Sequence, residues 1–144
     1  MSTTENLGIT LINSSDYVDP EAINEGFKKA DQMGVDYIVE EGTSGNWFFR
    51  KWKNGKAECW YQGDEAINAT SAYSGNYYGY VKLKFPFAFT SSPMTFASTS
   101  APHHLITVAQ NNTSTLGAEV CVVSLGIDYT GTNSFFLYAV GNYK

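Results

Sequence analysis

The sequence predicts a mainly β protein: an antiparallel β-sandwich (jelly-roll-like) head preceded by a short N-terminal α-helix. Three observations carry that prediction. From Asp36 onward, short apolar or alternating runs recur without a helical period, separated by Gly, Asn, Ser and Thr clusters and by Pro86, Pro93 and Pro102. That punctuation is typical of a many-stranded antiparallel fold. The stretch Trp47 to Trp60 gathers all 3 Trp residues around Asn54-Gly55, the strongest short-range signal for a β-hairpin. A helical period occurs only upstream, between Asp19 and Gly34. With 144 residues and 43% hydrophobic content, the chain suffices for one domain, or one domain with a short appendage.

The elements follow in order. Leu7-Gly-Ile-Thr-Leu-Ile12 is a short extended segment, and Asn13-Ser-Ser-Asp16 is a polar turn. Asp19 is a good N-cap, Pro20 fits the first helical position, and Glu21 sits where the helix dipole favours an anion. Val18 and Ile23 can form a hydrophobic staple, and Gly34 can close the helix. Ile23, Phe27 and Ala30, with Met33 beyond, make a narrow apolar stripe. So short a helix is marginal alone in water, so the stripe needs cover from its own β domain or from other copies of the chain. The division expected is residues 1–35 as an attachment or trimerisation segment and 36–144 as the head. Strands are expected over 36–41, 46–53, 56–62, 80–85, 94–100, 105–110, 117–127 and 133–141. The apolar runs 118–125 and 135–140 read as core strands, and no internal repeat is found.

For the hairpin, a two-residue type I′ turn at Asn54-Gly55 sets the register. Lys53 then faces Lys56, Trp52 faces Ala57, Lys51 faces Glu58, and Phe49 faces Trp60. One face carries Trp47, Phe49 and Trp60; the other carries Phe48, Arg50, Trp52, Cys59 and Tyr61. Aromatics on both faces imply that the hairpin is covered on both sides.

Chemistry is harder to place. A net charge of −5 with 9 basic residues argues against a nucleic-acid partner. No apolar run reaches the ~20 residues of a membrane span, and the first residues lack the pattern of a signal peptide. Synthesis in the cytoplasm is therefore expected, with release by lysis or as part of a particle. Cys59 and Cys121 read either as buried free thiols or as one disulfide, and no metal-ligand spacing occurs. His103-His104 are neighbours that would point to opposite faces of a strand, so they read as polar loop residues. Asp64, Glu65 and Glu58 offer carboxylates for a glycan depolymerase, but carboxylates at such spacing are common. No catalytic residues, metal or cofactor are assigned.

Binding is easier to argue. Tyr73-Ser-Gly-Asn-Tyr-Tyr-Gly-Tyr80 reads as a Gly-punctuated tyrosine loop, a composition favoured in recognition. Tyr73, Asn76, Tyr77 and Tyr78 are candidate ligand contacts, with Asn111 and Asn112 from the polar run 110–115. The plainer reading is that these side chains cover a sandwich end or a subunit contact.

Two stretches resemble a known family. Leu7-Gly-Ile-Thr-Leu-Ile, Ser15-Asp-Tyr-Val-Asp-Pro-Glu and Asn24-Glu-Gly-Phe-Lys-Lys-Ala-Asp31 are similar to an "L-G-L-T-x-P … D-x-x-D … N-x-N-F-x-x-x-D" entry segment. Gly45-Asn-Trp-Phe-Phe-Arg-Lys-Trp-Lys-Asn-Gly-Lys-Ala-Glu-Cys-Trp60 resembles a "W-x-Y-R-K-W-x-x-G-x-x-E-C-W" hairpin. Both belong to small tail-fibre or baseplate-tip (receptor-binding) proteins of phages and prophages of Gram-positive Firmicutes. Ile12 stands where proline is common, and Gly26 replaces the second Asn, at a cost of about 1 kcal/mol relative to alanine. The resemblance implies a homotrimeric virion protein made in the bacterial cytoplasm. Its N-terminal helix would trimerise or attach to other virion proteins, and its head would touch the host surface. From the residues themselves, the Ile23, Phe27 and Ala30 stripe is the expected trimer contact, and non-covalent adhesion to a host-surface glycan is the expected action. A capsid head fibre, a structural cap and a monomeric carbohydrate-binding module are the alternatives.

Overall fold

A computed structural model describes residues 2–3, 10–11, 20–32, 36–100 and 104–144, with side chains for 21, 23–29, 36–100, 104–107 and 112–144. The chain divides into two compact units, Met1–Tyr37 and Ile38–Lys144.

In the first unit, β1 (Ser2–Thr3) pairs antiparallel with β2 (Thr10–Leu11), and α1 runs Pro20–Gln32. Pro20 does open the helix. The expected cap Asp19, the staple residue Val18, Met33 and the closing Gly34 lie outside the described residues. Ile23 is half-buried and Phe27 is 70% exposed.

The second unit is a mainly β, antiparallel two-sheet sandwich. Its strands are β3 (Ile38–Ser44), β4 (Trp47–Trp52), β5 (Lys56–Ala69), β6 (Ser71–Tyr73), β7 (Asn76–Lys84), β8 (Met94–Ser100), β9 (Leu105–Thr113), β10 (Gly117–Ser124) and β11 (Tyr129–Asn142). One sheet has the order β3-β4-β5-β11-β8 and the other β6-β7-β10-β9. Alternation along the strands explains the core between them. Ala118, Val120 and Val122 of β10 and Phe135, Leu137 and Ala139 of β11 are buried, while their neighbours face outward. The last strand is indeed central, paired with β5 on one side and β8 on the other.

Three expectations are corrected. The hairpin turn is one residue longer than a type I′ loop: Phe48 faces Trp60, Phe49 faces Cys59, Arg50 faces Glu58 and Lys51 faces Ala57. Gly55 donates to Trp52 O at 3.1 Å with φ +94°, while Asn54 keeps negative φ and its Oδ1 accepts from Lys56 N at 2.7 Å. This is a three-residue loop ending in a left-handed glycine. A one-residue slip exchanges faces, so Trp47, Phe49, Cys59 and Tyr61 share the core side, and Phe48, Arg50, Trp52 and Trp60 share the outer side.

Next, residues 71–80 are not an irregular loop. β6 and β7 form a hairpin whose turn, Ser74-Gly75, has φ of 48° and 80°. The type I′ geometry expected at Asn54-Gly55 is found here. The strands are also longer than expected: β5 continues to Ala69, β9 to Thr113, and β11 starts at Tyr129. The Thr, Asn and Gly residues that look like separators there are absorbed by ladder pairing, Tyr129 to Ser134 against Asp64 to Ala69. Cys59 and Cys121 are free thiols, the first of the two readings open for them, although only Cys59 is buried. Cys59 is in the core, whereas Cys121 alternates outward from buried Val120 and Val122.

Candidate functional site

The outer face of the five-stranded sheet carries a row of aromatic rings. The ladder sets Phe48 of β4 opposite Trp60 of β5, Trp60 opposite Tyr138 of β11, and Tyr138 opposite Phe96 of β8. Ring centroids are 4.7, 6.4 and 6.4 Å apart, with tilts of 40°, 44° and 28°. Phe96 is 59% exposed, and Met94, one ladder row away, is 64% exposed.

Polar groups hold both flanks of this row. Arg50 lies 5.3 Å from the Phe48 ring centre and 5.5 Å from that of Trp60, a cation–π arrangement. Its Nε donates to Glu41 at 3.1 Å. Tyr138 donates its hydroxyl to Glu58 at 2.6 Å. Burial, then that hydrogen bond and the Glu58 charge, push the Tyr138 phenol up to about 12. Behind the row, burial and then the Glu58 charge also push the Cys59 thiol up to about 12, so it stays protonated and unreactive near neutral pH. On the opposite flank, Gln62, Phe136 and Ser98 form the next ladder row. Together with Trp60, Tyr138 and Phe96 they line a depression of about 330 Å³.

The sequence alone did not single out this row. Its signal is present in the alternation of Phe136, Tyr138 and Val140 with the buried Phe135, Leu137 and Ala139, a strand apolar on both sides. The hairpin register then decides which rings join it.

The candidate residues read from the sequence are dispersed. Tyr73 is 75% exposed beside the Ser74-Gly75 turn. Asn76 Oδ1 accepts from Gly126 N at 3.1 Å, which ties the turn to the 125–127 loop. Tyr77 and Tyr78 point to opposite sides of β7, and Tyr78 meets Tyr80 edge-on at 5.7 Å. Asn112 pairs with Glu119, which in turn faces Lys82. Lys82 is four residues from Tyr78, about 13 Å along the strand. Tyr73, Asn76, Tyr77 and Tyr78 therefore lie together at one end of the four-stranded sheet, and Asn112 lies toward the other. The side chains of Asn111 and Ala30, and all of His103, lie outside the described residues.

The carboxylates named for hydrolysis each accept a structural hydrogen bond. Asp64 accepts from the Ser134 hydroxyl at 2.7 Å, Glu58 from Tyr138, and Glu65 from Tyr61. His104 packs edge-on against Tyr129 at 5.6 Å. Among the described residues no group of three or more His, Cys, Asp and Glu could hold a metal ion. No described helix is long and apolar enough to cross a membrane.

No protein-family model and no curated protein matches the sequence. Solved structures do match in fold. The chain is similar to an N-truncated R1-type pyocin tail fibre, with 14% identity and a TM-score of 0.58 over 80% of this chain and 94% of that one. A C-terminal portion of the Pseudomonas aeruginosa R1 pyocin fibre matches at 15% identity and a TM-score of 0.58, over 92% of this chain and 39% of that one. The likeness to these tail-fibre structures is one of fold.

Proposed function

We propose that this chain is a phage or prophage tail-fibre tip that adheres non-covalently to a glycan of the host cell surface, as a homotrimer in the virion. The observation that carries the reading is the fold: a two-sheet sandwich similar to R1 pyocin tail fibres over 80% and 92% of the chain. The entry-segment and hairpin motifs support it. In this reading the Ile23, Phe27 and Ala30 stripe of α1 is covered by other copies, or the segment docks to other virion proteins. Closed three-fold symmetry would keep such contacts from propagating, and three heads on one axis would raise the avidity of weak individual contacts. The chain acts by adhesion and performs no reaction.

The test joins solution mass to cell binding. Light scattering of the full chain should give a trimer, and the labelled trimer should adsorb saturably to some members of a panel of intact Gram-positive cells. Removing residues 1–35 should lower the mass to that of a monomer and weaken adsorption. A trimer that survives truncation would move assembly into the head. A monomer in both forms would end the fibre-tip reading and favour a monomeric carbohydrate-binding module.

A further inference from the structure

We infer that the Phe48–Trp60–Tyr138–Phe96 row is a binding site for an uncharged, linear, β-linked glycan whose pyranose rings pack across the strands. This rests on the adhesion reading and locates that adhesion on the side of the head, away from the Tyr73–Tyr78 turn. Three features of the face lead to it.

The first is extent. Four strands at about 4.8 Å spacing give a row about 14 Å long, and three ladder rows add about 13 Å along the strands. The aromatic row with its two flanking rows is thus about 200 Å² in plan, against the ≈800 Å² per partner that a stable protein interface buries. It is small for a second protein chain and long enough for more than one sugar ring laid end to end.

The second is the mixture of groups. Aromatic faces take the C–H side of a pyranose, and its hydroxyls need hydrogen-bond partners at the edges. Here Gln62, Ser98 and Ser100 border one flank, and Glu58 and Arg50 the other. The row itself is pre-organised. Tyr138 is held by Glu58, and Arg50 spans Phe48 and Trp60 while paired to Glu41. Such fixed groups reduce the ordering cost of binding.

The third is charge. Glu41, Glu58 and Asp64 on this face outnumber Arg50 and Lys56, and the chain as a whole is at −5. A phosphate- or uronate-bearing polymer would meet like charge here, so a neutral glycan is the complementary occupant.

The experiment titrates the full-length protein with cellohexaose and with N-acetylchitohexaose, reading tryptophan fluorescence and calorimetry. The expected result is saturable binding of at least one of them, with a change in Trp60 emission. Phe96→Ala, on an exposed edge position where folding is little affected, should weaken it about tenfold or more, and Phe96→Tyr should restore it. Leu116→Ala, equally exposed but in the turn between β9 and β10, should bind as the parent does. No binding of either oligosaccharide by the folded protein would overturn the proposal, as would equal binding by Phe96→Ala. A fall in solution mass on Phe96→Arg would also overturn it and assign the face to a second copy of the chain. Cell adsorption separates this failure from that of the adhesion reading. Phe96→Ala that still adsorbs fully removes only the row, whereas a parent protein that adsorbs to no cell removes the adhesion reading itself.

Discussion

The β4–β5 and β6–β7 hairpins make an instructive pair. Each has a turn glycine at positive φ and aromatic strands, yet they solve the turn differently. Lys53-Asn54-Gly55 is a three-residue loop with its glycine buried; Gly55 O accepts from Tyr143 N at 2.9 Å, and the Tyr143 hydroxyl donates to Trp52 O at 3.1 Å. Ser74-Gly75 is a two-residue loop with open space around its glycine. Turn residues alone would assign the geometries the other way round, because Asn-Gly is the preferred type I′ pair. What decides is the packing that the register creates. The longer loop puts Trp47, Cys59 and Tyr61 in the core together, which a type I′ turn would not allow.

The largest test of this contrast lies just beyond the second turn. A Cβ on Gly79 would come 2.0 Å from Asn68 O, a backbone atom of the crossing strand β5. Gly79→Ala should therefore destabilise the head by about 3 kcal/mol or more, read as a sharp drop in the midpoint of urea unfolding. An unchanged midpoint would mean that the β5–β7 approach is looser than described.

Next come the turn glycines themselves. Gly55→Ala places a methyl at φ +94° and 3.1 Å from Lys144 O, whereas Gly75→Ala meets only the strain of φ +80°. Losses of about 2 and about 1 kcal/mol are expected, and the reverse order would break the distinction between a packed and an open turn. In the opposite sense, Ser74→Asn should stabilise by about 0.5 kcal/mol, since asparagine tolerates φ 48° better than serine. Chemical denaturation of the single variants would resolve all three.

The smallest effect is electrostatic. The Tyr138 phenol titrates at about 12 in the fold against an ordinary 10.0. A raised value means stability fully present below pH 10 and lost as pH rises through 12. Ultraviolet titration should show a late-ionising tyrosine that is lost in Tyr138→Phe, beside Tyr61 and Tyr80, which burial also raises. Ionisation of every tyrosine together near pH 10 would remove the Glu58 hydrogen bond from the account.

Much of the fold was legible because it depends on local pattern. The apolar, β-branched-rich runs 118–125 and 135–140 marked the core strands, and Pro20 and Glu21 marked the start of α1. The aromatic row was not legible because it depends on which residues face each other across strands far apart in sequence, Phe48 with Trp60 and Phe96 with Tyr138. Two apolar runs with the same alternation can meet in either register, and only packing against the second sheet selects one. The tyrosine turn illustrates the converse: its composition was visible, but Tyr77 and Tyr78 diverge because a strand, and not a loop, carries them.

The position of β11 has a consequence for folding kinetics. It inserts between β5 and β8, pairing Phe135 to Val140 with residues 94–99 on one side and 58–63 on the other. Contacts so distant in sequence form slowly, because the loop must close before any pairing rewards it. Until then β5 and β8 each present an unpaired edge, the kind of surface that captures a strand from another molecule. Refolding of this head should accordingly be slow and should lose yield as protein concentration rises, with strand exchange between copies as the competing product.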